Sequence, residues 1–166
     1  LPQTTAKDSR DLISLIKNIL LGQGLTEIIS YGLISRDILN KLEWNSGNLI
    51  QITNPLSKEQ ELLRPSLIPG LLCCIAYNIN REEAVLIFEI AKIFKAKEGL
   101  SLGFALCGNK QKLLSKGSFS EEVDIFHIKG ILELLLKRAN IKDYDFSLED
   151  CSFFEKNESF SLRINA

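Results

Sequence analysis

Histidine and cysteine carry most metal and nucleophilic chemistry in proteins, and this chain holds one of the first and four of the second. His127 stands between Asp124 and Lys129, where it could act as a general base but reads more naturally as part of a surface helix start. Cys73, Cys74, Cys107 and Cys151 form no C-x-x-C pair, and the adjacent Cys73 and Cys74 are poorly spaced for zinc. Their neighbours are apolar, which predicts buried, unoxidised thiols acting as small hydrophobes. Gly22-Gln23-Gly24 is half of a G-x-G-x-x-G and follows a helix rather than a strand, so it reads as a helix stop. No G-x-S-x-G elbow exists for a serine nucleophile. Lys92, Lys95, Lys97, Lys110, Lys112 and Lys116 gather around one stretch, as a solvated hairpin rim or a contact for a phosphate backbone. Acidic residues gather instead near the end, at Asp143, Asp145, Glu149, Asp150, Glu155 and Glu158.

The bulk composition limits what these residues can serve. With 166 residues, 45% hydrophobic and 25% charged, the chain has the balance of one globular domain. A net charge of -1 and a pI near 6.0 argue against disorder and against a free-standing nucleic-acid binder. The most apolar stretch, residues 67–79, contains Pro69 and Gly70 and falls short of the about 20 residues a membrane span needs. No secretory signal opens the chain, and a cytoplasmic location is expected. Leu1-Pro2 at the start and the absence of methionine suggest a piece of a longer protein.

Periodicity then supplies the elements. Asp8 or Ser9 should cap a helix carrying Leu12, Ile13, Leu15, Ile16, Ile19 and Leu20, stopped by Gly22 and Gly24. Residues 26–31 read as a strand, 35–42 as a short helix and 49–53 as a short strand. Asn54-Pro55-Leu56-Ser57 breaks the chain, and Ser66 should cap a helix reaching Asn80, with Pro69 in its first turn. Residues 85–94 and 101–107 read as a hairpin turning at Lys97-Glu98-Gly99, and 109–120 as a polar loop. A second long helix is predicted over 124–139, with Ile125, Ile128, Leu132, Leu135, Leu136 and Ala139 on its apolar face. Strands are predicted at 144–148 and 160–164. The pattern predicts an α+β domain on a mostly antiparallel sheet flanked by helices.

The helix over 67–79 is the most informative local feature. Leu71, Leu72, Ile75, Ala76 and Ile79 share one face, while Gly70, Cys73, Cys74 and Tyr77 share the other with almost no charge. A helix apolar all round is normally covered on both sides, so this second face should meet another helix or a partner chain. Just before it, Arg64 should pair with Glu59 or Glu61, its nearest carboxylates, and Asn54 should hydrogen-bond loop backbone.

Residues 54–72 read NPLSKEQELLRPSLIPGLL. This closely resembles the signature segment of the phenylalanyl-tRNA synthetase beta subunit, in its catalytic-like core domain. Its marker positions here are Asn54, Pro55, Leu56, Ser57 and Glu59, then Leu63, Arg64, Ser66 and Leu67, then Pro69, Gly70, Leu71, Leu72 and Cys73, with Tyr77 further along the helix. Gly24-Leu25-Thr26-Glu27-Ile28-Ile29-Ser30-Tyr31 is similar to the family's helix-to-strand junction. Asn78-Ile79-Asn80-Arg81 resembles its N-x-N-R, and Phe88-Glu89-Ile90-Ala91-Lys92-Ile93-Phe94 its F-E-I-G-K-x-F strand. Asp124-Ile125-Phe126-His127-Ile128-Lys129-Gly130 resembles its D-F-F-x-x-K-G helix start.

The resemblance implies a class II aminoacyl-tRNA synthetase core, residues 1–166 forming one such domain that stops before the family's last core strands. It implies an enzyme of two alpha and two beta chains that joins phenylalanine to its tRNA, with ATP and magnesium used by the holoenzyme and none bound by this segment. In that family the alpha chain carries the active site, and the beta core is a catalytically silent copy that builds the subunit interface. The residues agree with silence: where a working core has F-R-x-E, this chain has Phe94-Lys95-Ala96-Lys97-Glu98, and lysine lacks the planar fork that grips a phosphate. The glycine-rich third motif with its arginine is missing, and Glu155-Lys156-Asn157-Glu158-Ser159-Phe160 replaces the family's H-P-G-R-S-A. On these residues no catalytic, cofactor or metal position is assigned; the signature segment is read as structural and interface-forming. The alternative is a stand-alone paralogue that kept the fold as a binding module for an amino acid or a protein.

Overall fold

The computed structural model describes residues 6–44, 47, 49–114, 117–149 and 159–164. Helix α1 (Ala6–Gly22) leads into a two-residue strand β1 (Thr26–Glu27). A small ribbon follows, β2 (Leu33–Ile34) with β3 (Leu62–Leu63), enclosing α2 (Arg36–Lys41) and a single 3-10 turn at Lys58–Gln60. Helix α3 (Ile68–Asn78) then precedes the long strands β4 (Ala84–Phe94), β5 (Glu98–Leu114) and β6 (Gly117–Glu122). Helix α4 (Ile125–Arg138) and the hairpin β7 (Tyr144–Leu148) with β8 (Phe160–Ile164) complete it.

The main sheet has the order β1-β4-β5-β6. The β4–β5 and β5–β6 pairs are antiparallel but β1 runs parallel to β4, so the sheet is mixed. Alternation along β4 sends its side chains to two different cores. Phe88, with Leu86 and Ile90 beside it, packs against Leu20 and Leu25 from the α1 end and Ile131 of α4. Val85 and Ile87, with Ala91 and Ile93, pack instead against Leu67 and Leu71 at the start of α3. A third small cluster, Ile34, Leu39 and Leu62, sits under α2 and the ribbon.

Caps and strand ends decide several boundaries. Ser35 caps α2 by accepting from the Ile38 N–H, and Asp124 caps α4 by accepting from Phe126 and His127. Gly108 has a positive φ of 91°, and a Cβ there would lie 2.2 Å from the Glu83 carbonyl oxygen, so only glycine fits.

The structure departs from the expected elements at several places. Helix α1 begins at Ala6, ahead of Asp8 and Ser9, and Leu12 and Leu15 are exposed while Leu20 is buried. The strand expected over 26–31 pairs only at Thr26–Glu27. The strand expected over 49–53 is reduced to one bridge, Gln51 with Leu62. The hairpin turns at Lys95–Lys97, because Glu98 already pairs with Phe94. The stretch expected as a polar loop is the β5–β6 hairpin, whose ladder runs from Asn109 opposite Glu122 to Leu114 opposite Gly117. Backbone pairing holds it where side-chain polarity gave no strand signal. On α4, Ile131 and Leu136 are the buried residues and Ile125 is exposed.

Candidate functional site

Arg64 is the centre of the signature segment and the most heavily bonded side chain in it. It follows β3 directly, and its backbone joins two elements: its N–H donates to Gly32 O and its carbonyl accepts from Phe94 N–H. Its side chain is buried, with Nε donating to Lys92 O at 2.9 Å and Nη1 donating to Ser30 Oγ at 2.9 Å and to Glu89 Oε1 at 2.8 Å. Glu89, only 2% exposed, also accepts from Ser30 N–H at 3.1 Å and from Ser30 Oγ at 2.7 Å. Two buried charges and one hydroxyl therefore satisfy one another across three chain segments. Buried ions persist only under such pairing.

This corrects the expected partner of Arg64. Glu61 Oε1 accepts from the Arg36 N–H, and Glu59 is held by Ser57, whose hydrogen bond lowers the Glu59 carboxyl below its usual range. Asn54 is exposed, and its side chain makes no hydrogen bond among the described residues. Pro55 and Leu56 are exposed as well, Leu56 at 95%. The carboxylate that wins is far away in sequence because β4 delivers it to the same buried point.

Helix α3 packs on this network. Ser66 Oγ accepts from the Ile68 N–H, and Pro69 falls in the first turn. Gly70 lies so close to Ser30 that a Cβ would sit 2.8 Å from its Oγ. Leu67, Pro69 and Leu71 are buried, with Cys74 and Ile75 beside them. The buried face is thus rotated from the one expected: Leu72, Ala76 and Ile79 are exposed, and so are Cys73 and Tyr77 from the face expected to be covered. Of that second face, Gly70 meets Ser30 and Cys74 meets the core. Asn78 Nδ2 donates back to Cys74 O at 2.9 Å, and Arg81 stacks over the Tyr77 ring at 4.2 Å while Nη1 donates to Tyr77 O. An exposed tyrosine with an arginine laid across it closes the helix.

A cavity of about 240 Å³ opens between these pieces. Leu33, Ile34, Ile38 and Pro69 give it apolar walls, Arg64 and Ser30 reach its polar side, and Tyr31 and Cys73 stand at its exposed rim.

The remaining candidates have other tasks. His127 Nδ1 lies 2.8 Å from Asp124 Oδ1 and 3.2 Å from the Asp124 backbone nitrogen, so its ring closes the α4 capping box. The His127 contact is the main reason that the Asp124 carboxyl lies below its usual range. Lys92 pairs with Glu98 across the hairpin at 2.6 Å, and Lys95 and Lys97 are exposed in its turn. Lys95 therefore stands on a turn and not on a strand. Lys110 and Lys112 belong to β5, while Lys116 lies outside the described residues. Cys73 is exposed and Cys74 and Cys107 are half-buried, which corrects the expectation of four buried thiols; Cys151 lies outside the described residues, as do Asp150 and residues 155–158. No helix is long and apolar enough to cross a membrane among the described residues.

Comparison with known proteins gives this arrangement a family. The model of the phenylalanyl tRNA synthetase beta chain CLM domain matches residues 1–166. The chain belongs to that family. It is 34% identical over 161 residues to the phenylalanine--tRNA ligase beta subunit of Fusobacterium nucleatum, covering 90% of this chain and 20% of that one. The beta subunit from Carboxydothermus hydrogenoformans is 35% identical over 141 residues, covering 80% and 18%. The chain thus spans about a fifth of the length of these relatives. Among solved structures it is similar to a pyrrolysyl tRNA synthetase of Desulfitobacterium hafniense, with a TM-score of 0.64 at 16% identity over 89% of this chain and 51% of that one. A second structure of that synthetase gives 0.62 at 15% identity, covering 84% and 50%. The chain therefore shares its fold with about half of that structure, as an α+β unit on a mixed sheet.

Proposed function

We propose that this chain is one catalytic-like, class II core domain of a larger beta subunit, and that it serves phenylalanine–tRNA ligase as an assembly element without chemistry of its own. Its partner is the alpha subunit, two of each chain forming the enzyme, which attaches phenylalanine to tRNA using ATP with magnesium. Cytoplasmic location accords with that role. The observation that carries the silent reading is the closed Arg64–Glu89 pair. A phosphate-binding core presents an unneutralised guanidinium to its ligand. Here the buried guanidinium is neutralised from within at 2.8 Å. Arg64 is engaged in this way, and Lys95, where a working core has its F-R-x-E arginine, stands exposed in the turn after β4. Neither can supply a bidentate phosphate grip.

Phenylalanine-dependent pyrophosphate exchange tests this directly. The isolated chain should give no turnover above a no-enzyme blank, while the full-length beta chain co-expressed with alpha should co-purify with it and be active. Turnover by the isolated chain well above the blank would overturn the silent reading. Failure of the wild-type beta chain to hold alpha would overturn the assembly reading and favour the paralogue that binds an amino acid or another protein.

A further inference from the structure

We infer that His127 is a protonation-dependent latch on the joint between β6 and α4, because one ring atom faces two Asp124 groups that it cannot serve together. Nδ1 lies 3.2 Å from the Asp124 backbone nitrogen and 2.8 Å from Asp124 Oδ1. The backbone N–H is only a donor, so it needs Nδ1 bare. The ionised carboxylate is only an acceptor, so it needs a proton on Nδ1. A neutral ring with its proton on Nε2 therefore holds the N–H, while its Nδ1 lone pair opposes the carboxylate. The imidazolium instead donates to Oδ1 in a charge-assisted bond and gives up the N–H.

The surroundings let the proton decide between these states. The His127 side chain is 20% exposed and that of Asp124 53%, so both exchange protons with water. The ring borders a cavity of about 250 Å³ whose other walls are Gln23 and Leu25 after α1, Leu86 of β4, Leu106 of β5, and Gly130 and Ile131 of α4. None of these is charged or titrates, so the titratable group facing the ring among the described residues is Asp124, at the head of the same helix. Histidine changes charge between about pH 5 and 8, and the Asp124 carboxyl, held below its usual range, stays ionised throughout that window.

Position in the chain gives the latch its consequence. Asp124 Oδ1 also accepts from the N–H groups of Phe126 at 2.9 Å and His127 at 3.1 Å, and these bonds need nothing from the ring. Helix α4 therefore stays capped in both states. What changes is the tie at the Asp124 N–H, two residues after β6 ends at Glu122. One residue earlier, Val123 N–H donates to Gly108 O of β5. With the ring neutral, two consecutive N–H groups are held, one by the sheet and one by the helix; with the ring cationic, the helix releases its own. Glutamate or glutamine usually takes this N–H from the third helical position, through an oxygen. Here the same task falls to an atom that titrates.

The 166-residue chain itself serves for the test, since His127 is its one histidine and gives a single set of ring signals. Nitrogen-15 NMR from about pH 8 to 5 reads which ring nitrogen carries the proton, and the Asp124 amide reads the latch. At the upper end the proton should sit on Nε2, with the Asp124 amide proton shifted downfield and slow to exchange. On acidification that amide should move upfield and exchange at least about 10-fold faster, in step with protonation of Nδ1. The His127→Gln variant, whose side-chain oxygen accepts throughout this range, should lack the step. A neutral ring carrying its proton on Nδ1 would overturn the latch, as would an Asp124 amide that ignores the ring titration. An equal step in His127→Gln would overturn it too.

Discussion

Arg64 and Glu89 meet at 2.8 Å from positions 25 residues apart, one after the edge ribbon and the other in the middle of the long central strand. Both are nearly sealed from water, at 7% and 2% exposure. Ser30 bonds to both, so the pair ties the end of β1, the signature segment and β4 into one unit.

Removing one partner should cost far more than removing both. Glu89→Gln or Arg64→Met leaves a buried group without its counterpart, for an expected loss of about 3–5 kcal/mol. The double variant Arg64→Met with Glu89→Leu should recover a large part of that loss. Denaturant unfolding of the three variants checks it. Single-variant losses no larger than about 1 kcal/mol, the range of an exposed pair such as Lys92–Glu98, would contradict the burial argument.

Gly70→Ala should destabilise the domain by about 1–3 kcal/mol. The new Cβ would sit 2.8 Å from a Ser30 Oγ that two hydrogen bonds hold in place. Gly22→Ala, where nothing lies within 4 Å, should be neutral or raise stability by up to about 1 kcal/mol. Thermal melts of the two variants side by side separate steric contact from helix propensity.

Acid should loosen the start of α4. The Asp124 carboxyl is depressed in the folded chain, chiefly by its hydrogen bond with His127. A depressed acid contributes stability above its unfolded pKa, about 3.9, and loses it as pH falls through the lower folded value. The Asp124→Asn variant keeps a capping oxygen but should lack this part of the acid limb. Chemical-shift titration of the amides of Phe126 and His127 between pH 6 and about 2 follows the transition; identical profiles in the two proteins would remove Asp124 as its source.

Thiol reagents should find Cys73 first. It is exposed on α3, whereas Cys74 and Cys107 are half-buried beside the core and in β5. Mass-resolved labelling of the native isolated chain should show Cys73 modified well before those two. Equal rates at Cys73, Cys74 and Cys107 would mean that α3 presents a different face to water.

The family and much of the architecture were legible in the residues alone. The signature at 54–72 led to the beta-chain family that the comparisons then showed. Strands at 144–148 and 160–164, the helix starting near Asp124 and the helix expected over 67–79 come from local rules of periodicity that act within a few residues. What local rules misplace is equally specific. They give Arg64 its nearest carboxylate, make the backbone-paired 109–120 segment a loop, and bury Leu72 and Ile79, which stand exposed.

The physical reason is range. A helix repeats every 3.6 residues, so its sequence states how wide its apolar stripe is; when α3 is apolar all round, no stripe remains to say which side turns inward. Only the docking of β4 and β5 settles that, by placing Val85, Ile87 and Gly103 under Leu67 and Leu71 and leaving Cys73 and Tyr77 outside. The same docking carries Glu89 to Arg64, since alternation in β4 assigns it to the α3 face while nothing local names its partner. Sequence determined the elements and their family; tertiary packing decided which charges meet and which apolar face is left exposed.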